Sequence, residues 1–215
     1  MKAYTSNNIR NIAVLGHGGK GKTTLCEAML YIAGASDRLG RVADGNTVLD
    51  FDSEEKRRKS SVSSAIAALE WDNTKLNIID APGLFDFEGG AAEAVRAAEA
   101  VLIVTSAGSG VDVGTEKAFR AAEKKGAAKF FAVTKTDSDH RNFYKTFDAL
   151  KEVYGNKLCP TIIPYMEGNI TKCYVNLMTG MAFSYDENGK ATKFPVPEDS
   201  VIEEMTSAFM EAVAT

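Results

Sequence analysis

A glycine-rich loop between two apolar segments places the strongest constraint on this chain. Residues 16–23 read GHGGKGKT and fit the pattern G-x-x-x-x-G-K-[S/T] in full. A short apolar run, Ile9 to Leu15, precedes the loop, and a segment of helical character, Lys22 to Ile32, follows it. A strand, a glycine-rich turn and a helix in this order predict backbone N–H groups that turn inward at the positive end of a helix. Such a turn binds phosphate groups, so the sequence predicts a nucleotide site here.

Each residue from Gly16 to Thr24 is a candidate contact for that nucleotide. The Lys22 side chain is predicted to reach the β- and γ-phosphates, and the Thr23 hydroxyl to bind Mg²⁺. The stretch HGGKGKTT is also similar to the loop of the partition and nitrogenase-iron-protein ATPases, but His17 stands at the place of their signature lysine. The loop alone therefore leaves the base open. The candidates in this loop are Gly16, His17, Gly18, Gly19, Lys20, Gly21, Lys22, Thr23 and Thr24.

Short apolar segments alternate with amphipathic ones along the first two-thirds of the chain. The segments 77–80, 101–105 and 130–134 are apolar and β-branched or aromatic, as buried strands are. In 115–122 and 143–154, apolar residues recur at helical spacing. This alternation predicts an α/β fold, a three-layer P-loop NTPase in which helices cover both faces of a mostly parallel sheet.

The character of the chain changes after Pro160. Three strand-like segments and a final helix are predicted there, over residues 171–175, 181–185, 193–196 and 201–212, with a hairpin turn at 186–189. We therefore expect a nucleotide-binding domain over residues 1–158. A small inserted α/β subdomain is expected over residues 159–215.

Composition limits the classes of function. The 215 residues are 45% hydrophobic and 25% charged, which suits one sizeable soluble α/β domain with an insertion. A formal charge of −4 gives no basic footprint for DNA. Cys26, Cys159 and Cys173 form no CxxC pair, so neither a disulfide framework nor a zinc site is indicated. The start is polar and the longest strongly apolar run is 101–104, so we expect a cytoplasmic protein without a membrane partner.

Two further motifs follow predicted strands. Asp80 and Gly83 belong to the sequence DAPG, in which the carboxylate is predicted to hold Mg²⁺ through water and the Gly83 N–H to face the γ-phosphate. Thr134, Lys135 and Asp137 belong to the sequence TKTD. The Asp137 carboxylate can accept hydrogen bonds from guanine N1–H and N2–H₂, which adenine lacks, and the stem of Lys135 can lie over the base. The three motifs in this order predict a guanine nucleotide.

Five stretches of the chain form a recognisable set. They are GHxxxGKTT at 16–24, LGRVADGNTVLDF at 39–51, DAPGxxDF at 80–87, VGTEKAFRAAEKKGAAKFF at 113–131 and TKTD at 134–137. Together they resemble the GTP-binding domain of a translational GTPase of the elongation factor G-like type, over essentially the whole chain. The resemblance implies Mg²⁺ and GTP or GDP as ligands, hydrolysis of GTP, and the ribosome as a partner. It also implies a first switch, residues 36–63, and a second switch, residues 80–90.

The resemblance assigns further roles. Ser61 stands at the place of the usual Mg²⁺-binding threonine, so the metal candidates are Thr23, Ser61 and Asp80. Leu84 stands at the place of the histidine that positions the attacking water, and leucine cannot orient water. We therefore expect a low intrinsic rate of hydrolysis. The catalytic candidates are Lys22, Ser61, Gly83 and, for its position only, Leu84.

Other departures from the family pattern concern the base. Gly19 stands where aspartate is frequent, and Thr134 replaces the asparagine of the NKxD motif. The loss of that amide predicts a weaker contact to guanine and the loss of its brace on the phosphate loop. The fifth GTPase motif, a Ser-Ala loop, is absent where expected, so the chain is interpreted as a piece of a longer factor that stops before it.

Two other classes of function stay open at this point. A partition-type ATPase is compatible with the loop, although His17 and Asp137 argue against it. A guanine-nucleotide-binding regulator that does not hydrolyse GTP is compatible with Leu84.

Overall fold

The computed structural model of this chain comprises two compact units. They are Met1–Thr134 and Lys135–Thr215. None of the helices in the described part of the chain is long and apolar enough to cross a membrane. The described residues are 2–136, 142–155, 158–168, 170–186 and 189–214.

A five-stranded sheet forms the centre of the first unit, in the order β2-β3-β1-β4-β5. The pairs β3–β1, β1–β4 and β4–β5 are parallel, and β2 is antiparallel to β3. The expected mostly parallel sheet is therefore confirmed, with one antiparallel edge strand that the sequence pattern did not indicate. The strands are β1 Ile9–Leu15, β2 Ala65–Trp71, β3 Thr74–Asp80, β4 Ala100–Ser106 and β5 Ala128–Thr134.

Helices cover both faces of this sheet, because both faces are apolar. On one face, Cys26 and Leu30 of α1 pack in a buried cluster with strand residues such as Val14. On the other face, buried alanines and Val95 from α3 and α4 pack against Ile103 and its neighbours. The three-layer P-loop fold is thus confirmed. The helices are α1 Lys22–Ile32, α2 Ser53–Arg58, α3 Glu88–Ala97 and α4 Val113–Lys125.

Three parallel strands end at the same edge of the sheet. Val14 lies opposite Asp80, the last residue of β3, and Leu15, the last residue of β1, lies opposite Ile103 of β4. Since parallel strands bring their carboxyl ends together, the phosphate loop, the start of the second switch and the loop after β4 emerge side by side. This edge positions the candidate site.

The second unit contains a four-stranded antiparallel sheet in the order β6-β7-β8-β9. Its core holds Ile163, Cys173, Val175 and Ala182, together with Ile202 of the final helix. The strand β6 was not expected from the sequence. The elements are α5 Phe143–Tyr154, β6 Ile162–Glu167, β7 Ile170–Asn176, β8 Met181–Tyr185, β9 Ala191–Phe194 and α6 Ser200–Ala214.

The division between the units falls before α5, whereas the sequence placed a boundary after residue 158. Phe143 at the start of α5 packs against the apolar core of the antiparallel sheet. The Tyr144 hydroxyl donates a 2.7 Å hydrogen bond to the carbonyl of Pro164 in β6. These contacts of α5 with the antiparallel sheet explain why the helix belongs to the second unit.

Candidate nucleotide-binding site

The phosphate loop adopts a backbone that requires glycine at its two ends. Gly16 has φ +137°, and a Cβ built on it would lie 2.2 Å from the carbonyl oxygen of Val104 in β4. Gly21, the residue before α1, has φ +90° in the left-handed region. The loop lies directly against β4. It reverses the direction of the chain within a few residues and is followed by the amino end of α1. Sequence and structure therefore agree on a strand, a glycine-rich turn and a helix at this place.

The Lys22 ammonium group lies inside the loop. It is only 6% exposed, and its Nζ donates to the carbonyl oxygens of Gly16 and His17, both at 3.1 Å. Burial lowers the pKa of Lys22, and the nearby Asp80 carboxylate opposes that effect. A partly desolvated cation enclosed by backbone suits an anionic ligand such as a phosphate group.

Four buried side chains meet beside this loop. Thr23 Oγ1 donates to Asp80 Oδ2 at 2.6 Å and lies 3.1 Å from Ser61 Oγ. Ser61 Oγ in turn donates to Asp50 Oδ1 at 2.7 Å. The three predicted metal candidates are thus brought together. Asp50 joins them as a fourth member that the sequence did not single out.

The two hydroxyl hydrogens of this cluster are too few to satisfy all of its buried oxygen atoms. With both carboxyl groups ionised, the two hydroxyl hydrogens go to Asp80 and Asp50, which leaves no hydrogen between Thr23 and Ser61. Burial raises the pKa of Asp80 to about 7, and it raises the pKa of Asp50 as well. Asp80 Oδ1 and Asp50 Oδ2 are buried without a hydrogen-bond partner among the described residues.

The donor set of the cluster fits magnesium. Hydroxyl and carboxylate oxygens are the hard ligands that Mg²⁺ prefers, and a cation would satisfy the two buried oxygens that lack partners. In the described part of the chain, no three or more His, Cys, Asp or Glu side chains come together to hold a metal. A magnesium ion at this cluster would therefore need oxygen atoms from phosphate and water as well, as Mg²⁺ sites at nucleotides do.

The second switch begins in close contact with the loop. A Cβ on Gly83 would lie 2.2 Å from Lys22 Nζ and 2.8 Å from the backbone nitrogen of Gly18. Leu84 is 38% exposed, and its Cδ2 would lie 2.9 Å from a Cβ on Gly18. An apolar side chain thus lies over the loop at the position where the family pattern has a histidine.

The ring of Phe85 connects the second switch to the loop and to α4. It lies 5.6 Å from the imidazole of His17 in a T-shaped arrangement, and the Nζ of Lys117 lies 4.5 Å from its centroid. Lys117 also forms an ion pair with Glu88, the first residue of α3. The side chain of His17 is therefore a packing partner of the second switch.

The Thr134 hydroxyl corrects one expectation from the sequence. Its Oγ1 lies 2.7 Å from the carbonyl oxygen of Lys20 and 3.1 Å from that of Thr105. The threonine thus retains a brace on the phosphate loop, although the sequence predicted that the brace was lost with the asparagine. The structure places Lys135 next, with φ +57°, whereas Asp137 lies outside the described residues.

The Lys20 side chain is held by the segment that follows β4. Its Nζ donates to Ser109 Oγ at 2.7 Å and forms an ion pair with Asp112 at 3.2 Å. Asp112 is also the N-cap of α4, where it accepts from the backbone N–H of Thr115. What Lys20 can offer a ligand is therefore its backbone N–H, since its side chain is already engaged.

Asp50 and Asp112 were not among the residues predicted from the sequence. Asp50 lies in the polar first switch, eleven residues before Ser61, and Asp112 lies directly before α4; in the sequence both look like solvated charges. Their roles follow from contacts between residues far apart in sequence. A signal existed for both: Asp50 is the penultimate residue of the stretch at 39–51 that carries the family resemblance, and Asp112 directly precedes the helical stretch at 113–131, as an N-cap residue does.

Comparison with known proteins agrees with the P-loop fold described above. A family model described as the elongation factor Tu GTP binding domain matches residues 7–214. A solved structure of a protein from Thermus thermophilus superposes with a TM-score of 0.88 and 35% identity, covering 96% of this chain and 31% of that one.

Several curated relatives are elongation factors. An elongation factor G-like protein of Mycobacterium tuberculosis (strain ATCC 25618 / H37Rv) is 34% identical over 95% of this chain and 28% of its own length. One from Synechocystis is 30% identical over 93% of this chain and 30% of its own length. Elongation factor G of Mycoplasma genitalium is 30% identical over 97% of this chain and 31% of its own length. The chain thus spans less than a third of these relatives. It belongs to the elongation factor Tu GTP-binding domain family, as a translational GTPase domain of the elongation factor G-like type.

Proposed function

We propose that this domain binds GTP and GDP together with Mg²⁺, and that it hydrolyses GTP to GDP and phosphate slowly in isolation. One observation carries the proposal. The buried oxygens of Thr23, Ser61, Asp80 and Asp50 meet within hydrogen-bond distance of one another, beside the buried ammonium group of Lys22. An anion and a divalent cation together match that pairing of charges and hard oxygens.

The proposed roles follow from these positions. The Lys22 ammonium group binds the β- and γ-phosphates, for which it exchanges its bonds to the loop carbonyls. The Thr23 and Ser61 hydroxyls are metal ligands, and Asp80 holds the metal through water. The Gly83 N–H faces the γ-phosphate. Bound Mg²⁺ supplies neutralisation of the phosphate charge.

Base selection is proposed to rest on the TKTD motif. The Asp137 carboxylate accepts from guanine N1–H and N2–H₂, and the stem of Lys135 covers the base. Thr134 has a different task in this proposal, since its hydroxyl is committed to the loop carbonyl of Lys20. It braces the phosphate loop through the carbonyl of Lys20.

The slow intrinsic rate is inferred from Leu84. Its side chain lies over Gly18 and can neither donate nor accept a hydrogen bond, so no group at this position orients the attacking water. A general base or a water-positioning group typically contributes about 10²–10⁴-fold. We therefore infer that a partner, the ribosome in the full-length factor, stimulates hydrolysis, and that the factor acts in the cytoplasm.

A second candidate function is a guanine-nucleotide-binding regulator that does not hydrolyse GTP. The apolar contact of Leu84 on the loop favours it. The two functions differ in a single-turnover assay with ribosomes, in which a regulator would show no formation of phosphate. A partition-type ATPase is not supported, because the family model matches nearly the whole chain.

Calorimetric titration of the purified chain with GDP and with ADP, both with Mg²⁺, tests the proposal. We expect binding of GDP and none of ADP, and we expect Lys22→Met to abolish binding. Lys20→Met is the matched control, because it removes a lysine side chain of the same loop that is paired with Asp112. Equal affinity for GDP and ADP would contradict base selection by Asp137. The absence of binding to both would contradict the proposed site.

A further inference from the structure

A second carboxylate of α1 is completely buried and has no part in the site described above. Glu27 is 0% exposed and lies one helical turn after Thr23. Its Oε1 accepts hydrogen bonds from the backbone N–H groups of Val48 at 2.7 Å and Leu49 at 3.0 Å. It forms no ion pair with any described residue. The partners of Glu27 are therefore backbone groups of the first switch.

A buried carboxylate without a cation is costly, and the chain around Glu27 is shaped to hold it. A Cβ on Gly40 would lie 2.1 Å from Glu27 Oε2 and 2.8 Å from the Cα of Thr47. The backbone of the first switch thus closes on the carboxylate from two sides, at Gly40 and at Val48 and Leu49. This fit indicates that the carboxylate organises that backbone.

The contact of Glu27 with Leu49 lies next to the candidate magnesium cluster, because the following residue, Asp50, is one of its four members. Leu49 is buried in the core under α1, and Asp50 comes next and accepts from Ser61. Ser61 lies 3.1 Å from Thr23, which starts the same helix face as Glu27. One face of α1 therefore provides two attachment points for the first switch, a hydroxyl at the metal cluster and a carboxylate one turn away.

Glu55 is a buried carboxylate whose hydrogen bonds stay within the first switch, and it serves as a comparison for Glu27. It accepts from Asp52, Val62 and Ser63, all within the first switch, and it completes the capping box of the short helix α2. Glu27 differs because it lies on the rigid helix of the phosphate loop. Its bonds therefore fix where the switch lies relative to that loop, and not only how the switch is folded.

We propose that Glu27 is a positioning residue that holds the first switch against α1 and so brings Asp50 and Ser61 to the magnesium ion. This inference rests on the proposed function, since it assigns Glu27 a part in metal binding at the same site. Glu27 itself touches neither nucleotide nor metal. Its removal lowers the affinity for Mg²⁺ and leaves the binding of the nucleotide without Mg²⁺ unchanged.

The experiment measures amide hydrogen exchange and Mg²⁺ affinity on the same variants. In Glu27→Ala, the amides of Val48 and Leu49 are expected to exchange about 10- to 100-fold faster, as the loss of hydrogen bonds to a charged group implies. The Mg²⁺ concentration for half-saturation, titrated with a non-hydrolysable GTP analogue, is expected to rise about tenfold. Glu27→Gln keeps an acceptor oxygen and is expected to lie between Glu27→Ala and the native chain.

Two controls separate this role from general destabilisation. Ile103→Val trims a buried side chain of the other core cluster, and Glu54→Gln neutralises a carboxylate of the first switch that pairs with Arg57 and Arg58 of its own helix. Both are expected to leave the Mg²⁺ affinity within about twofold of the native value. Gly40→Ala is an independent variant, because its methyl group would displace the Glu27 carboxylate, and it is expected to act like Glu27→Ala.

The outcomes are distinct. If Glu27→Ala leaves the two amides protected, or if the amides loosen while the Mg²⁺ affinity is unchanged, the proposal is overturned. An equal loss of Mg²⁺ affinity in Ile103→Val would also overturn it. Failure of the native chain to bind any guanine nucleotide overturns the proposed function, and it is told apart from failure at Glu27 because amide exchange is measured on the chain alone.

Discussion

The two switches of this domain are attached to the phosphate loop and its helix by different kinds of contact. The first switch is held by buried polar groups, namely Glu27, Asp50 and Ser61. The second switch starts at the buried Asp80, but beyond it the switch rests on Leu84 and Phe85, which are 38% and 46% exposed, and on an ion pair of two half-exposed side chains. Buried charged groups are strongly coupled to their surroundings, whereas exposed pairs contribute little. The difference suggests a site that is prepared to bind a metal and a nucleotide but depends on outside help for hydrolysis.

The largest expected effect is at Leu84. Leu84→His would place an imidazole over the loop and is expected to raise the single-turnover rate of GTP hydrolysis, or its response to ribosomes, by about 10²-fold or more. Leu84→Met is the control, since it keeps an apolar side chain of similar volume. If the native chain already hydrolyses GTP fast and Leu84→His hydrolyses it more slowly, the second switch needs no outside help and the contrast between the switches is lost.

Asp50 provides the corresponding test of the first switch. Asp50→Ala leaves the Ser61 hydroxyl without its acceptor and is expected to weaken Mg²⁺ binding about 10- to 100-fold, as the loss of a supporting group around a metal does. Asp44→Ala removes an exposed carboxylate from the same switch and serves as the control. Equal effects of the two substitutions on Mg²⁺ titrations would indicate a general charge effect rather than a role for the buried cluster.

Both switches contact the phosphate loop, so a variant that changes only the support of this loop provides a reference for the effects at the switches. Thr134→Val removes the hydroxyl that braces the Lys20 carbonyl while keeping the shape of the side chain. We expect GDP to bind about five- to tenfold more weakly, the equivalent of one hydrogen bond. Thr134→Ser keeps the hydroxyl and is expected to bind like the native chain in the same calorimetric titration. An unchanged affinity in Thr134→Val would mean that the brace has no influence on the loop.

The pH dependence of Mg²⁺ binding tests the buried cluster to which both switches contribute, through Ser61 and Asp50 from the first and Asp80 from the second. Because burial raises the pKa of Asp80 to about 7, the folded protein without metal keeps a proton that the unfolded chain has lost above about pH 4. This group therefore makes the free energy of unfolding fall as the pH rises from about 4 to about 7. Metal binding requires the carboxylate, so the Mg²⁺ affinity is expected to rise about fivefold from pH 6 to pH 7.

Asp80→Asn provides the control for this pH profile. The amide does not titrate, so the variant is expected to bind Mg²⁺ weakly and with a flat dependence over the same range. The profile is measured by titration of Mg²⁺ at constant ionic strength. A slope that persists in Asp80→Asn would assign the titration to another group, of which Asp50 is the nearest, since its pKa is also raised.

The smallest expected effect is at the exposed contacts of the second switch. Lys117→Ala removes both the ion pair to Glu88 and the contact with the Phe85 ring. We expect the free energy of unfolding to fall by less than about 1 kcal/mol in chemical denaturation. Arg120→Ala, which breaks an exposed pair with Glu116 on the same helix, is the control. A much larger loss at Lys117 would show that the second switch is attached more firmly than its exposure indicates.

Much of the first unit could be predicted because its signals are local. The strand at Ile9–Leu15 and the helix at Lys22–Ile32 are confirmed at their predicted bounds, since an apolar run, glycines and a helix start follow one another directly. The strand Ala65–Trp71 was missed. It is an edge strand rich in alanine, and only its pairing with Thr74–Asp80 makes it a strand.

The sequence by itself determined the phosphate loop, the order of the motifs and the family. The glycine conformations at Gly16 and Gly21 and the apolar periodicities act over a few residues and can be recognised in the chain. The tertiary structure alone decided that Thr134 braces Lys20, that Asp50 holds Ser61 and that Glu27 holds the first switch. These contacts join residues 114, 11 and 21 to 22 positions apart. The reason is physical: a buried polar group is defined by the partners that satisfy it, and those partners come together only when the sheet and its helices have closed around them.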